Sequence, residues 1–262
     1  MRCLFGFICV LALGVIGCSE TAGTGGSSGV GGDGGSAGMG GGGAGGFGGA
    51  GETATLQVLP MELDEDGEQV RLAGVRICEV DTNNCGVSDG LVPVELLVPA
   101  NREISFTQER EGYDPLLRSD VMPPGLTIVV PVMTPAAPVA EQFEGLMSPY
   151  PMEGTGAVFL IVWGGAAGDP IRGATVELVD GTGKRFYIDG EGTWSADLTA
   201  TTVRGVGGFL EVAPGEAQVR IGGAATDCEV FRGWPGDEEN TIRMAVQEGF
   251  TTSARVLCTD SN

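Results

Sequence analysis

Short runs of apolar or alternating residues, each of strand length, recur along the chain from residue 54 onward. Such runs indicate β-strands that are half or fully buried. The seven clearest runs are 56–59, 75–80, 103–106, 127–130, 158–163, 174–179 and 218–221. Asp-Gly turn signals separate them at 66–67, 89–90, 180–181 and 189–190. This pattern predicts an all-β fold of antiparallel β-sandwiches, with at most a short helical turn near residues 139–146.

Glycine and proline divide the chain into segments. Residues 18–53 are about half glycine and cannot bury enough apolar surface to fold, so we expect a disordered, flexible tether. Residues 135–154 are rich in proline, which fixes its own φ, and are expected to form a stiffer linker. Residues 54–134 and 155–262 are each long enough for a modest core. The sequence therefore predicts two β-sandwich domains in tandem after the tether.

The first residues have the layout of a secretory signal peptide. Arg2 precedes an apolar stretch, 4–16, which is shorter than the about twenty apolar residues that a transmembrane helix needs. Cys18 ends the run 15–18, which resembles the lipobox of bacterial lipoproteins. The resemblance implies removal of residues 1–17, acylation of Cys18 and attachment to a membrane through the N-terminal lipid. Simple secretion is the alternative.

The chain is strongly acidic and contains no histidine. Its 14 basic and 35 acidic residues give a net charge of −21 at pH 7, which disfavours binding to nucleic acids and to anionic lipid surfaces. The absence of histidine excludes Ser-His-Asp and Cys-His catalysis and removes the usual zinc ligands other than thiolates and carboxylates. We assign no catalytic residues. A hydrolase that uses carboxylates alone stays open, although no spacing in the sequence nominates a pair of carboxylates.

Four of the seven cysteines remain after the signal peptide and the lipidated residue are set aside. An even number in an oxidising compartment predicts two disulfides. Three pairings of Cys78, Cys85, Cys228 and Cys258 are open. The local pairs Cys78–Cys85 and Cys228–Cys258 are preferred because each bridge then stays inside one predicted domain.

The second predicted domain resembles the carboxypeptidase regulatory-like, or transthyretin-like, domain. The residues that carry the resemblance are 170–176, 208–209 and 213–215; in the first domain they are 74–75, 89–90 and 111–115. A separate internal repeat matches 74–81 with 173–180, 89–90 with 189–190 and 96–101 with 210–215 in the same order, which indicates one module present twice. The resemblance implies a seven-stranded antiparallel sandwich (prealbumin-like or Ig-like) without catalysis of its own.

Two loops are candidate sites. Asp64 and Asp66 lie in an acidic turn that begins like a calcium loop, but the twelfth position is Ala73 rather than glutamate, so a solvated turn is favoured over a calcium site. No other cofactor is expected. Trp234 lies in a loop-like context near Asp237 and Glu238. A bridge from Cys228 would tether that loop, and we expect it to present the indole to a ligand.

These features predict a non-catalytic, lipid-anchored protein of the cell envelope. Its function is expected to be binding or scaffolding, with a protein or a polysaccharide of the envelope as partner. Serine at position 19, where some enteric lipoproteins carry an aspartate that retains them in the inner membrane, favours the outer membrane or cell surface. A purely structural surface spacer is the alternative function.

Overall fold

The computed structural model describes residues 52–164 and 168–261. Its first half contains strands and no helix. The strands are β1 (Thr53–Val58), β2 (Met61–Leu63), β3 (Gln69–Arg71), β4 (Ala73–Glu79), β5 (Cys85–Asp89), β6 (Val94–Pro99), β7 (Arg102–Glu109), β8 (Leu116–Met122) and β9 (Gly125–Val129).

The second half begins with one helix and continues in strands. These elements are α1 (Ala136–Gly145), β10 (Gly156–Gly164), β11 (Asp169–Pro170), β12 (Ala174–Leu178), β13 (Lys184–Ile188), β14 (Trp194–Ser195), β15 (Val206–Val212), β16 (Gly215–Gly223), β17 (Ala225–Arg232), β18 (Trp234–Pro235), β19 (Thr241–Val246) and β20 (Thr251–Asp260). The all-β expectation is confirmed, and each of the seven predicted runs overlaps a strand.

The first sandwich is built from two sheets that face each other. One has the order β6-β1-β9, and the other contains β5, β4, β7 and β8; β2 and β3 form a separate hairpin. Alternate residues point inward from both sheets, so that Leu56 and Val58 of β1 meet Ile104 and Phe106 of β7 in one core cluster. Fully burying side chains of this kind contributes about 1.5–3 kcal/mol each.

The second sandwich repeats this pairing pattern. Strand β1 pairs antiparallel with β6 and parallel with β9, and β10 pairs in the same senses with β15 and β20. Likewise β4-β7-β8 and β12-β16-β19 are both antiparallel sets. The two halves differ in the place of one strand, because β5 pairs with β4 whereas β13 pairs with β15, and the second half has the additional strands β11, β14, β17 and β18. The internal repeat seen in the sequence therefore extends to the topology.

Helix α1 adds a third layer to the second half. Strand β10 is buried on both faces: Val158 and Leu160 enter the core between the sheets, and Phe159 and Ile161 face the other way. Val139 and Phe143 of α1 pack on this outer face, together with Leu146 and Met152 just beyond the helix. This explains why β10 is an unbroken apolar run rather than an alternating one.

The segment 135–154 was expected to be a linker, and the structure corrects this. It folds as α1 because its prolines fall where a helix tolerates them: Pro135 is the N-cap residue and Pro138 lies in the first turn, where backbone N–H groups have no partner within the helix. At the other end, Nζ of Lys184 donates hydrogen bonds to the carbonyl oxygens of Leu146 and Met147. A cation at this end also suits the helix dipole.

Two consecutive glycines in β15 allow aromatic rings to pack against the backbone. A Cβ at Gly208 would lie 2.1 Å from the carbonyl oxygen of Val158, and one at Gly207 would lie 2.6 Å from the ring of Tyr187. Tyr187 is fully buried, and its hydroxyl accepts the backbone N–H of Val176 at 3.0 Å. The small residues thus let one tyrosine tie the two sheets of the second sandwich together.

Strand β20 joins the two sandwiches into one sheet. It pairs in parallel with β10 along eight residues of each strand and, through Thr251 and Thr252, in parallel with Leu116 and Leu117 of β8. Farther along, β17 pairs with β20 in antiparallel sense. The resulting eleven-stranded sheet contains strands of both halves.

The structure contains two disulfides, Cys78–Cys85 and Cys228–Cys258. These are the pairs preferred from the sequence. The first joins the directly opposed strands β4 and β5, and the second joins β17 to β20.

We expect Phe143→Ala to lower the free energy of unfolding by about 3–5 kcal/mol, because it empties a site between α1 and the outer face of β10. Phe143 is 1% exposed and contacts the rings of Tyr150 and Trp194. Urea unfolding followed by circular dichroism measures the change. Met147→Ala is the control, since Met147 is 86% exposed. Equal effects of the two substitutions would contradict the proposed role of α1.

Candidate functional site

The two sandwiches also contact each other away from the shared sheet. The outer face of β7 and β8 lies against β18 and β19. The backbone N–H of Ala245 donates to Oγ of Ser119 at 2.9 Å, and the hydroxyls of Ser119 and Ser105 are 3.0 Å apart. Strand β18 ends before it reaches Ala245 of β19, so it offers no carbonyl group to the backbone N–H of Ala245. The Ser119 hydroxyl accepts this N–H instead.

Trp234 lies within this contact. It belongs to β18, pairs with Arg243 of β19, and donates from Nε1 to the carbonyl oxygen of Ile104 in β7 at 3.3 Å. The Arg243 guanidinium lies 6.0 Å from the ring centroid. The half-buried indole is thus held between the two halves of the chain, although the sequence predicted a loop that presents it to a ligand. That binding role stays a prediction, and the position favours a structural role.

Arg243 links the same region by ion pairs. Its guanidinium lies 2.6 Å from Glu103 of the first sandwich, 3.0 Å from Glu216, and 3.9 Å from Asp237. The proposed ligand contact Asp237 is therefore close to Trp234, and its side chain is 78% exposed. Glu238 lies in the same loop but pairs with Arg220 at 2.5 Å. The structure brings the three predicted binding residues to one loop, where two of them are engaged by arginines.

A cleft of about 500 Å³ lies beside the Cys78–Cys85 disulfide, between the two sandwiches. One wall comes from β4, β5, β7 and β8, and the other comes from β16 and the end of β19. The lining residues that carry charge, amide or hydroxyl groups are Arg76, Glu79, Asp81, Thr82, Thr107, Glu109 and Gln247. This open, polar concavity is a candidate binding site in the part of the chain described.

Hydrogen bonds fix one acidic group of the cleft, Glu79, and a second, Glu109, lies near an arginine. Oε2 of Glu79 accepts from Nδ2 of Asn84 at 3.0 Å and from the hydroxyl of Thr82 at 3.4 Å. Glu109 lies 3.8 Å from Nη1 of Arg76, and both side chains are exposed. Carboxylate and amide groups of this kind can hydrogen-bond hydroxyl-rich or cationic ligands. The sequence did not single out these residues, since they come together only when β4 pairs with β5 and β7.

The acidic turn proposed as a calcium site joins β2 to β3. Oδ1 of Asp64 accepts the backbone N–H groups of Asp66 and Glu68 at 3.0 and 2.9 Å, as in an Asx turn. Asp66 is exposed. Within residues 52–164 and 168–261, no group of three His, Cys, Asp or Glu side chains is placed to hold a metal ion. Calcium binding here stays a prediction.

A buried carboxyl group lies where the segment before β8 meets β20. Asp114 is 3% exposed, and its Oδ1 accepts the Tyr150 hydroxyl at 3.1 Å. Burial raises the pKa of Asp114 to about 6, while the hydroxyls of Thr251 and Tyr150 oppose the rise. Burial and the charge of Asp114 in turn raise the pKa of Tyr150. Three segments therefore meet at one titratable group that the sequence pattern did not reveal.

Two predictions fall outside the described residues. Cys18, the expected lipidation site, and most of the tether 18–53 lie in the part of the chain that the structure does not describe. Among the helices that it does describe, none is long and apolar enough to cross a membrane.

Comparison with known proteins gives distant structural similarity only. No family model matches the sequence, and no curated protein matches it. A minor pilin of Streptococcus agalactiae aligns over 79% of this chain and 96% of its own, at 9% identity and a TM-score of 0.27. The TIE protein of Bacillus anthracis aligns over 80% and 34%, at 12% identity and a TM-score of 0.26.

A third alignment is with the shaft pilin SpaA of Lactobacillus rhamnosus GG. It covers 79% of this chain and 98% of that one, at 9% identity and a TM-score of 0.24. TM-scores this low establish neither a common fold nor a common function, so the function has to be argued from the chain itself.

We expect Asp114→Asn to change how stability depends on pH. The folded-state pKa of about 6 lies above the ordinary aspartate value of 3.8, so the stabilising effect of protonation is complete below about pH 4 and is lost as the pH rises through 6. Relative to the wild type, the asparagine variant should gain up to about 3 kcal/mol between pH 4 and 7. Urea unfolding of both proteins across this range measures the difference.

The control for Asp114→Asn is Asp237→Asn, which removes one carboxylate that is 78% exposed. Comparing each variant with the wild type cancels the titration of the remaining acidic residues. A stability difference between Asp114→Asn and wild type that stays flat, or that falls with rising pH, would contradict the assignment.

Proposed function

We propose that this chain is a non-catalytic lipoprotein of the cell envelope, anchored through acylated Cys18, whose folded part is a rigid binding and scaffolding module. Its partner is a protein or a polysaccharide of the envelope. The observation that carries the proposal is the junction of the two sandwiches, which holds them in one fixed arrangement and creates a polar cleft between them.

Several independent contacts support this rigidity. Strand β20 is shared by sheets of both halves, Trp234 donates to Ile104, and Ser119 receives the backbone N–H of Ala245. Two independent domains joined only by a flexible linker would have none of these contacts. Because the cleft is lined from both sides, its shape depends on the junction, as expected of a pre-formed binding site.

The chemistry of the cleft supports a binding role rather than catalysis. The chain has no histidine, and of the cleft's acidic groups Glu109 lies near Arg76 while Glu79 accepts hydrogen bonds from neutral groups. General acid–base catalysis needs a group whose pKa is tuned to its task and which is aimed at the substrate. The buried carboxyl of Asp114 accepts a hydrogen bond from Tyr150, and Asp114 is not among the residues that line the cleft.

The N-terminal segment supplies the proposed anchor. Acylated Cys18 would hold the chain in the outer membrane or at the cell surface, and residues 19–52 would separate the folded part from the bilayer. A glycine-rich chain of this length has a typical span of about 30 Å. This distance is enough for the module to reach partners above the headgroups.

We expect Cys18→Ser to move the protein from the membrane fraction to the soluble fraction, because the thiol that would carry the lipid is lost. Fractionation of cells that express the full chain, followed by immunoblotting, measures the distribution. Cys9→Ser is the matched control, since that cysteine lies in the apolar stretch predicted to be removed. A Cys18→Ser protein that still sediments with membranes would contradict lipid anchoring.

A purely structural spacer is the second candidate, and the position of Trp234 favours it. The large aromatic residue expected to contact a ligand is instead used to hold the two halves together. A spacer requires the same rigidity but no occupied cleft. Whether the cleft binds a ligand therefore distinguishes the binding module from the spacer.

Gln247→Trp should abolish capture of the envelope ligand, because the new indole would fill the cleft from an exposed position at the end of β19. The full chain is immobilised and exposed separately to purified envelope polysaccharide and to solubilised envelope proteins. Glu239→Trp, at an exposed position outside the cleft, is the matched control. We expect at least a tenfold loss for the first variant only; no capture by the wild type would favour the spacer.

A further inference from the structure

A row of polar side chains lies on one face of the shared sheet. It is located between the core of the first sandwich and the apolar cluster beneath α1. Gln108, Arg118 and Arg255 lie on β7, β8 and β20. The register places Gln108 opposite Leu116, and Leu116 opposite Thr251. Because side chains alternate between the faces of a strand, Arg118 and Arg255 stand on this same face.

These three side chains are buried and incompletely hydrogen-bonded. Gln108 is 0% exposed, Arg118 3% and Arg255 4%. Within the described chain, both amide atoms of Gln108, Nε of Arg118, and Nε and Nη1 of Arg255 have no hydrogen-bond partner. Buried donors of folded proteins are nearly always paired. Their convergence on one face points to a bound polar group.

The positive charge of this region exceeds the negative charge that faces it. Arg232 of β17 is the direct cross-strand partner of Arg255, an arrangement that is destabilising for like charges. The carboxylate among them is Asp120, whose Oδ2 lies 3.8 Å from Nη2 of Arg118. Arg118 and Arg232 face this carboxylate, and Arg255 adds a third guanidinium group, so the positive charges exceed the negative one by two.

The electrostatics agree with this count. Burial, together with the charges of Arg232 and Arg255, lowers the pKa of Arg118 to about 9 against the opposing effect of Asp120. Burial and Arg232 likewise lower the pKa of Arg255 to about 10. Each arginine is thus less stable in its charged form than it would be in water.

Aromatic rings hold two of the guanidinium groups in place. Arg255 lies 3.8 Å from the ring centroid of Trp163, and Arg118 lies 5.8 Å from that of Phe106. Stacking on a ring leaves the N–H groups at the edge of the guanidinium plane free to donate. The arginines are therefore fixed in orientation while their unpaired donors remain available.

We propose that this arginine seam, formed by Gln108, Arg118, Arg232 and Arg255, binds a small oxyanion of charge −2: inorganic phosphate, sulfate or the phosphate group of a monoester. Guanidinium edges match tetrahedral oxyanions by paired hydrogen bonds. A double negative charge balances the excess of two positive charges, and the amide of Gln108 supplies further donors. The bound anion would also screen Arg232 and Arg255 from each other across the strands.

Inorganic phosphate is the first probe, and the test uses the full chain purified in detergent. Phosphorus NMR at constant ionic strength should show saturable broadening or shift of the phosphate signal. The melting temperature should rise by about 3–5 °C at a tenfold excess over Kd. Sulfate should compete with phosphate. Methyl phosphate distinguishes the source of the anion, since it should bind equally well only if the site accepts an ester.

Arg255→Gln should weaken phosphate binding at least tenfold, because it removes one charge and two unpaired donors. Arg220→Gln is the matched control, since that guanidinium is 41% exposed and already pairs with Glu177 and Glu238. Arg118→Met provides a second variant that keeps the volume of the side chain. In phosphate-free buffer it should be at least as stable as the wild type, since a buried unbalanced charge is removed.

The phosphorus NMR titration of the unaltered chain decides the proposal even if the variants fold poorly. Absence of saturable binding to phosphate and to sulfate would overturn it. Binding that is equally strong in Arg255→Gln and Arg220→Gln would also overturn it, because the site would then lie elsewhere. A melting temperature that rises linearly with sulfate in all variants would indicate general salting-out and not a site.

Discussion

The arrangement of the molecule depends on the parallel pairing of β20 with β10 and β8. Through this strand the outer sheet of the first sandwich continues into a sheet of the second. Parallel strands are usually covered on both faces, and here the two faces meet different partners. One face of β10 and β20 closes the second core, and the other lies beneath α1.

A shared sheet also fixes which side chains must be neighbours. Side chains alternate between the two faces of the sheet from β7 through β8 to β20. The face that lines the first core is therefore the same face that meets the cluster under α1. Between these two apolar regions lie Gln108, Arg118 and Arg255. The arginine seam and the polar cleft are on opposite faces of the sheet at this junction. Arg118 belongs to the seam, and the adjacent residue Leu117 lines the cleft.

The sequence predicted strands where the pattern is simple and missed them where the junction alters it. The alternating run in β7 and the apolar run in β10 were recognised. In contrast, β8 and β20 bury Arg118, Ser119 and Arg255, so their polar residues hide the strand pattern. The sequence indicated a short helical turn near residues 139–146, which overlaps α1. The prolines nevertheless made the whole segment resemble a linker, because the surface that the helix covers was unknown.

The candidate sites also divide into features that a local sequence pattern predicts and features that depend on distant contacts. The local disulfide pairs follow from the closeness of the cysteines in sequence, and the structure contains those pairs. The positions of Trp234 and of the cleft residues depend on contacts across more than one hundred residues, such as that between Trp234 and Ile104. No local pattern encodes such contacts, because each partner satisfies the rules for an ordinary loop or strand.

Lys184 is the one lysine in the sequence, and its amine binds the last carbonyl groups of α1. Reagents that modify lysine side chains therefore encounter a single ε-amino group, and that group is available for acylation only when it leaves the end of the helix. The extent of labelling at this position would report how often α1 lifts from the sheet. The chain thus carries an intrinsic chemical probe of the motion of its only described helix.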